Sequence, residues 1–196
     1  MTVLRIFMTG VGGQGTLTAT TLLAKIALDR GLDVVSGEVH GMAQRGGVVE
    51  STLLIGGRRS PRIAFGEADL LLGFEPLETL RALPYLAPGG RVFSGSEPLP
   101  PIGVALKKER YPDPEALQAK VRAVAKDALF LPCQSLGHKA GSLQSGNSAL
   151  LGAACAAGAL PFGPDALEAG IRKHLPAKIA EANLAAARLG ASWKTP

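Results

Sequence analysis

Apolar runs and helical stripes alternate from the first residues of the chain. Residues 3–8 form an apolar-rich run that predicts a largely buried strand. Over residues 14–30 the apolar positions recur at helical spacing, and Gly31 is expected to end that helix. Residues 32–36 again have the pattern of a strand. The three segments predict a strand–helix–strand unit, whose crossover favours a parallel pair of strands.

The rest of the chain continues this alternation. A third strand is predicted where Val49, Ser51, Leu53 and Ile55 alternate with more polar neighbours. Further strands are predicted at residues 68–74, 91–93, 104–106 and 129–131, and helices over residues 76–83, 114–128, 145–158, 164–174 and 177–189, with Gly190 closing the last helix. The pattern predicts one α/β domain over residues 1–196, a three-layer Rossmann-like sandwich with a mainly parallel sheet.

Composition excludes several classes of protein. The net charge of +5 is mild and dispersed, and only 5% of residues are aromatic, so we expect no nucleic-acid surface. The chain has neither a secretory leader pattern nor an apolar run of about 18 residues, which predicts a soluble cytoplasmic protein without membrane contact. Cys133 and Cys155 lack disulfide or metal-ligand spacing, so we expect two core residues and no metal. His138 and Lys139 are expected in a solvated loop, and His174 at a helix end.

A glycine-rich loop follows the first predicted strand. Gly10, Gly12 and Gly15 have the GxGxxG spacing that permits a tight turn and close approach of a phosphate to the free N–H groups of the next helix. Gly13 belongs to the same candidate site, and Gln14 could donate to a ligand or cap the helix start. A dinucleotide site also needs an acidic residue after the second strand, and Glu38 could serve. Because another glycine-rich loop follows Glu38, we favour a phosphate-binding or interface loop over a nicotinamide site.

The second polar, glycine-rich segment is predicted as a loop over residues 37–47. The guanidinium of Arg45 can bind a carboxylate or phosphate through two hydrogen bonds, or it can pair with a carboxylate of a partner chain. The unperturbed pKa of a histidine side chain is near neutrality, so His40 could transfer protons or contact substrate, and Glu38 is a similar candidate, but for both a role limited to loop hydrogen bonds is the simpler interpretation. We therefore assign no catalytic residue. The ligand or interface candidates of this segment are Gln44, Arg45, Gly46 and Gly47.

Four ordered motifs carry a resemblance to a known family. They are GVGGQG at residues 10–15, SGEVHGMAQRGG at 36–47, EAD at 67–69 with GFEPL at 73–77, and a C-terminal set, GN at 146–147, LG at 151–152, LP at 175–176 and EAN at 181–183. Together they resemble the gamma-type subunits of 2-oxoacid:ferredoxin oxidoreductases, and residues 36–47 resemble the indolepyruvate branch most closely. The resemblance spans roughly residues 3–190. The sequence departs from the family pattern at the basic stretch 58–62.

The resemblance implies a reaction and a division of labour. Such enzymes convert a 2-oxoacid, coenzyme A and oxidised ferredoxin into an acyl-CoA, carbon dioxide and reduced ferredoxin. The assembled enzyme is expected to use thiamine diphosphate, Mg²⁺ and iron–sulfur clusters carried by a larger alpha-type subunit. This chain would bind none of them tightly, would be inactive alone and would complete the partner's active site. The alternatives are an independent NAD(P)-binding dehydrogenase or regulatory module, and a scaffold whose glycine loops serve assembly.

Overall fold

A computed structural model describes residues 3–40, 46–57, 60–100, 110–125 and 127–193, with His40 described by its backbone only. The described residues form one sheet in the order β2-β3-β1-β4-β5-β6. Its strands are β1 Leu4–Val11, β2 Val34–His40, β3 Val48–Ile55, β4 Ala68–Gly73, β5 Leu86–Gly95 and β6 Leu129–Leu131. The pairs β1–β4, β4–β5 and β5–β6 are parallel, whereas β3 is antiparallel to both of its neighbours. The predicted mainly parallel sheet is confirmed.

The first two strands run parallel as predicted, since both are antiparallel to β3, but they are not a directly hydrogen-bonded pair. β3 lies between β1 and β2 and forms an antiparallel hairpin with β2. The physical reason lies in burial, because Leu53, Leu54 and Ile55 of β3 are buried on both faces of the sheet, whereas β2 is largely accessible to solvent. The strand with more apolar surface takes the inner position, and β2 becomes the edge. Residues 37–40, predicted as loop, continue β2.

Helices cover both faces of the sheet. They are α1 Thr16–Asp29, α2 Pro76–Ala82, α3 Pro114–Val124, α4 Cys133–Lys139, α5 Gly146–Ala156, α6 Pro164–His174 and α7 Ala177–Ala191, with short 3-10 turns at Leu83–Tyr85 and Leu143–Ser145. Ile6 and Met8 of β1 pack towards α1 and α4 to α7, whereas the intervening Phe7 packs towards α2 and α3. This period-two alternation divides the core into two layers and confirms the three-layer sandwich.

Several details differ from the sequence-based expectations. His138 and Lys139 lie in the last turn of α4 rather than in a loop, because basic side chains are favourable at a helix C-terminus. Gly190 does not close α7, which runs to Ala191. It is instead a contact point, since a Cβ there would lie 1.8 Å from the carbonyl oxygen of Ala149. The strand predicted at 104–106 lies outside the described residues.

Candidate functional site

The site lies at the switch point of the sheet. β1 and β4 are parallel neighbours, but the chain continues from β1 towards the β2–β3 edge and from β4 towards β5 and β6. In open α/β sheets, loops that leave neighbouring strands in opposite directions open a crevice where ligands bind. Here the glycine loop follows β1, and Phe74, the first residue after β4, donates its N–H to the carbonyl oxygen of Thr9 at 2.8 Å. The predicted strand–loop–helix setting of the glycine loop is confirmed.

Two glycines of the loop have backbone conformations that other residues rarely adopt. Gly13 has φ 107° and Gly15 has φ 80°. A Cβ on Gly15 would in addition lie 2.4 Å from Nδ2 of Asn147, whereas a Cβ on Gly13 would meet nothing within 4 Å. Gly10 is tight for a different reason, since its Cβ would lie 2.9 Å from Oε1 of Gln14. The motif therefore serves both turn geometry and close packing.

Gln14 fastens the glycine loop to the neighbouring strand. Its Oε1 accepts a hydrogen bond from the N–H of Val11 at 2.8 Å, and its Nε2 donates to the carbonyl oxygen of Phe74 at 2.9 Å. The suggested role as a helix cap is wrong, because no side chain caps the start of α1. The amide instead bridges the loops that follow β1 and β4.

A cavity of about 420 Å³ opens beside the glycine loop. Its lining combines loop backbone with amide and hydroxyl side chains and includes no charged side chain among the described residues. The lining residues are Val11, Gly12, Gly13, Gly15, Thr16, Leu17, Thr18, Val49, Ser142, Gln144, Asn147, Ile179 and Asn183. The free N–H groups of the first turn of α1 and the positive end of its dipole lie at this wall, an arrangement that favours anions.

Two buried asparagines hold the far wall of the cavity. Asn147 of α5 donates through Nδ2 to the carbonyl oxygen of Gly15 at 3.2 Å. Asn183 of α7 donates to the carbonyl oxygen of Ile179 at 2.8 Å and accepts from the hydroxyl of Ser148 at 2.7 Å. Both are at most 7% exposed. Sequence reasoning did not assign them to the site, although both fall within the C-terminal motifs at residues 146–147 and 181–183.

The second candidate segment meets the glycine loop through its backbone. The N–H of Gly12 donates to the carbonyl oxygen of Gly47 at 2.8 Å. The backbone of His40 is paired with Val49, a residue that lines the cavity. Gln44 and Arg45 lie outside the described residues. Glu38, which a dinucleotide site could have used for the ribose, is exposed on β2 and lines a different cavity, so the geometry does not support a dinucleotide site.

The cysteines do not contribute to this site. Both are buried, and burial raises the pKa of the Cys133 and Cys155 thiols to about 12, so that they stay protonated at neutral pH. Their interpretation as core residues is confirmed. Within the described ranges, no group of three or more His, Cys, Asp or Glu side chains is placed to hold a metal ion. The helices of that part of the chain are also too short or too polar to span a bilayer.

Known proteins resemble the chain along nearly its whole length. Residues 5–193 match the pyruvate ferredoxin/flavodoxin oxidoreductase family. The indolepyruvate oxidoreductase subunit IorB of Methanothermobacter thermautotrophicus is 35% identical over 185 residues, covering 94% of each chain. The IorB subunit of Pyrococcus horikoshii is 37% identical over 190 residues, covering 94% of this chain and 93% of its own.

Solved structures share the fold at lower identity. The pyruvate oxidoreductase subunit PORC of Thermotoga maritima superposes with a TM-score of 0.69 at 20% identity, covering 97% of this chain and 96% of that one. The gamma subunit of a keto/oxoacid ferredoxin oxidoreductase from Geobacter sulfurreducens superposes with a TM-score of 0.66 at 22% identity, covering 95% of both chains. A 2-oxoglutarate:ferredoxin oxidoreductase of Magnetococcus marinus, with 2-oxoglutarate, coenzyme A and succinyl-CoA bound, superposes with a TM-score of 0.68 at 16% identity. In that case the match covers 97% of this chain and 30% of the other.

Fold and site define an open α/β protein with a cavity beside the glycine loop at the carboxyl end of β1. The family match and the relatives make the class specific: the chain belongs to the pyruvate ferredoxin/flavodoxin oxidoreductase family, as a subunit of a 2-oxoacid:ferredoxin oxidoreductase. The resemblance seen in the sequence motifs is confirmed. The alternative of an independent NAD(P)-binding module finds no support among these relatives.

Proposed function

We propose that the chain is the small subunit of a cytoplasmic, coenzyme A-dependent oxidoreductase that acts on aryl-pyruvates such as indolepyruvate. The observation that carries this proposal is the identity of 35–37% to indolepyruvate oxidoreductase subunits of nearly equal length. The motif at residues 36–47, which resembles the same branch, supports it. The enzyme would oxidise the 2-oxoacid to an acyl-CoA and carbon dioxide and pass the electrons to ferredoxin.

A larger alpha-type subunit would carry the cofactors. The residues of this chain do not fit an iron–sulfur cluster, because a cluster takes about four thiolates and the chain has two cysteines, both buried. The sequence also lacks a recognisable motif for thiamine diphosphate and its Mg²⁺. When bound in the partner, thiamine diphosphate supplies the carbanion chemistry of decarboxylation. The residues of this chain would bind, orient and shield rather than break bonds.

The cavity beside the glycine loop is the proposed contribution of this chain to the active site. Its backbone N–H groups, the start of α1 and Arg45 would together hold an anionic group of substrate or coenzyme A, for which a phosphate is the best match. The loop also suits close contact with the larger subunit, since Gly12 and Gly47 bring two backbones together.

Reconstitution tests the proposal. The chain and the larger subunit, purified separately without oxygen, should each fail to reduce ferredoxin with indolepyruvate and coenzyme A, and their mixture should succeed. Iron and thiamine analysis should find both cofactors in the larger subunit. Stoichiometric iron or thiamine diphosphate in this chain alone would refute the division of labour, and tight NAD(P) binding would favour the dehydrogenase alternative. Phenylpyruvate and a branched-chain 2-oxoacid, assayed in parallel, establish the substrate preference.

A further inference from the structure

A second cavity, of about 390 Å³, lies at the β2 edge of the sheet. We call it the edge groove and define it by Phe7, Val39, Glu50, Thr52, Ile63 and Tyr85. Phe7 and Ile63 belong to the core layer under α2 and α3, so the groove lies on that face of the sheet. Neither the glycine loop nor the asparagines of the first cavity line it.

Aromatic and aliphatic surface is exposed along this groove. The rings of Phe7 and Tyr85 stack with centroids 4.1 Å apart, and Phe65 contacts Tyr85 edge-on at 4.8 Å. Phe65 is nevertheless 72% exposed, and Val39 on the adjoining strand is 66% exposed. Exposed apolar side chains that cluster around a groove, rather than being scattered singly, are typical of a binding surface.

The charged residues that line the groove are the exposed Glu38 and Arg62 and the half-buried Glu50. Glu50 is paired across the strands with Thr9 and with Val39, and it is half-buried without a hydrogen bond or ion pair to any residue in the described ranges. Burial raises the pKa of the Glu50 carboxyl. The charge of Glu50 also adds to the rise in the pKa of the buried carboxyl of Glu78, which is mainly caused by burial. A partly desolvated carboxylate without a cation is unfavourable, so the complementary occupant is a cation.

β2 itself offers a backbone for pairing. It is the last strand of the sheet, and no described strand lies on its outer side. Edge strands with free N–H and C=O groups accept an extended segment of another chain as an added strand. A residue placed opposite Val39 on such a strand would be in line with Glu50. It would lie two strand spacings, about 10 Å, from Glu50, which a long basic side chain can span.

We propose that the edge groove receives an extended segment of the larger subunit, which pairs with β2 and places an arginine or lysine side chain beside Glu50. This inference rests on the proposed function for the existence of that subunit. Glu50 supplies the charge complement. Val39 and Phe65 would then be covered by the apolar residues of the segment.

The dissociation constant of the two purified subunits tests the charge contact. Glu50→Gln keeps the shape of the side chain but removes its charge, and it should weaken binding roughly 30-fold or more, the scale for losing one partner of a desolvated ion pair. The matched control is Glu115→Gln at the exposed start of α3, which should leave binding unchanged. Arg62→Ala tests whether Arg62, an exposed cation of this chain that also lines the groove, is already the partner of Glu50. If Arg62 already served Glu50, Glu50→Gln would have no effect.

A photo-crosslinking residue at position 39 tests the strand pairing. In the assembled enzyme it should join this chain to one peptide of the larger subunit that contains arginine or lysine. Two results would overturn the inference while leaving the proposed function intact. One is a Glu50→Gln variant that binds within twofold of wild type, and the other is crosslinking from position 39 that joins only two copies of this chain. If the unaltered subunits do not associate at all, the proposed function is refuted, and so is the inference that a segment of the larger subunit occupies the groove.

Discussion

Asn147 and Gly15 are joined by a hydrogen bond between parts of the chain 132 residues apart. Nδ2 of Asn147 donates to the carbonyl oxygen of Gly15 at 3.2 Å, and the amide lies where a Cβ on Gly15 would have to be. The asparagine therefore uses the space that the glycine leaves free. This contact attaches the second half of the fold to the glycine loop, so the shape of the cavity depends on both.

Removing the asparagine amide should loosen this attachment. Asn147→Ala deletes the bond to Gly15, and we expect a loss of about 1–2 kcal/mol in the free energy of unfolding, as for other buried hydrogen bonds. Denaturant unfolding measures this loss. Gln144→Ala is the control, since Gln144 lines the same cavity but is exposed, and it should change stability by less than about 0.5 kcal/mol. Equal stability of the two variants would mean that the Asn147 contact contributes little.

Alanine substitutions at Gly13 and Gly15, the two loop glycines with positive φ, should separate the stability cost of backbone strain from that of steric overlap. Gly13→Ala meets open space, so it should cost only the conformational strain of about 1–2 kcal/mol. Gly15→Ala adds the overlap with Asn147 and should cost more. In the double variant Gly15→Ala/Asn147→Ala the overlap is gone, so its cost should be less than the sum of the two single changes. Strict additivity in denaturant unfolding would contradict this account.

Arg45 is predicted to serve the assembled enzyme rather than the fold. Arg45→Ala should leave the melting temperature of the isolated chain nearly unchanged and should cost roughly 2–4 kcal/mol in kcat/KM, the scale of a charge-assisted contact at a desolvated site. Arg45→Lys should recover part of this loss, because an ammonium lacks the planar fork. Kinetics with the 2-oxoacid and coenzyme A varied separately identify the ligand. Full activity of Arg45→Ala would remove this residue from the site.

A surface cluster of charges predicts a pH dependence of stability. Lys173 and His174, at the end of α6, lie 2.7 and 2.6 Å from the carboxylate oxygens of Asp29. The hydrogen bond from Lys173, followed by that from His174, lowers the pKa of Asp29. A lowered folded pKa means that the stabilisation is present above the unfolded value of about 4 and is lost as pH falls through the folded value.

Asp29→Asn tests this expectation. The variant should melt below wild type at pH 7, and the difference should shrink as the pH falls below about 4, where Asp29 becomes protonated in both states. Asp127→Asn, at an exposed turn, is the matched control and should melt like wild type throughout. A difference for Asp29→Asn that is independent of pH would show that the ion pairs are not its source.

Local pattern predicted most elements because burial follows sequence periodicity. The alternation in β3 and the extent of α1 are properties of short segments, and both elements were found where they were predicted. The buried face of α1 was predicted wrongly: Leu28, part of the expected stripe with Leu17, Thr21 and Ala24, is 57% exposed, and the core side is formed by Leu22, Leu23 and Ile26 instead. The helix α4 was not predicted, because it has seven residues and contains Gly137, too little for a periodic signal. The position of β3 between β1 and β2 was also missed. Strand order depends on competition for burial among strands, which no single segment encodes.

The candidate site was predicted only on its N-terminal side. The GxGxxG spacing identified the loop and its turn, since left-handed glycines leave a local signature. The asparagine wall depends on tertiary contacts of α5 and α7, and Asn147 is close to Gly15 only in the folded chain. The same holds for Gln14, whose partner Phe74 lies after β4. Long-range side-chain pairs leave no periodic pattern in the sequence.

The close approach of α5 and α7 fixes the spacing of the two asparagines. A Cβ at Gly152 would lie 2.0 Å from the carbonyl oxygen of Ala187, just as one at Gly190 would strike Ala149, so the two helix backbones touch directly. Backbone contact leaves no side-chain rotamers through which the helices could slide or tilt. The two helix backbones therefore hold Asn147 and Asn183 at a fixed separation, and both amides are already bonded within the protein. Any adjustment on binding must come from the opposite wall, where the β2–β3 hairpin meets the glycine loop.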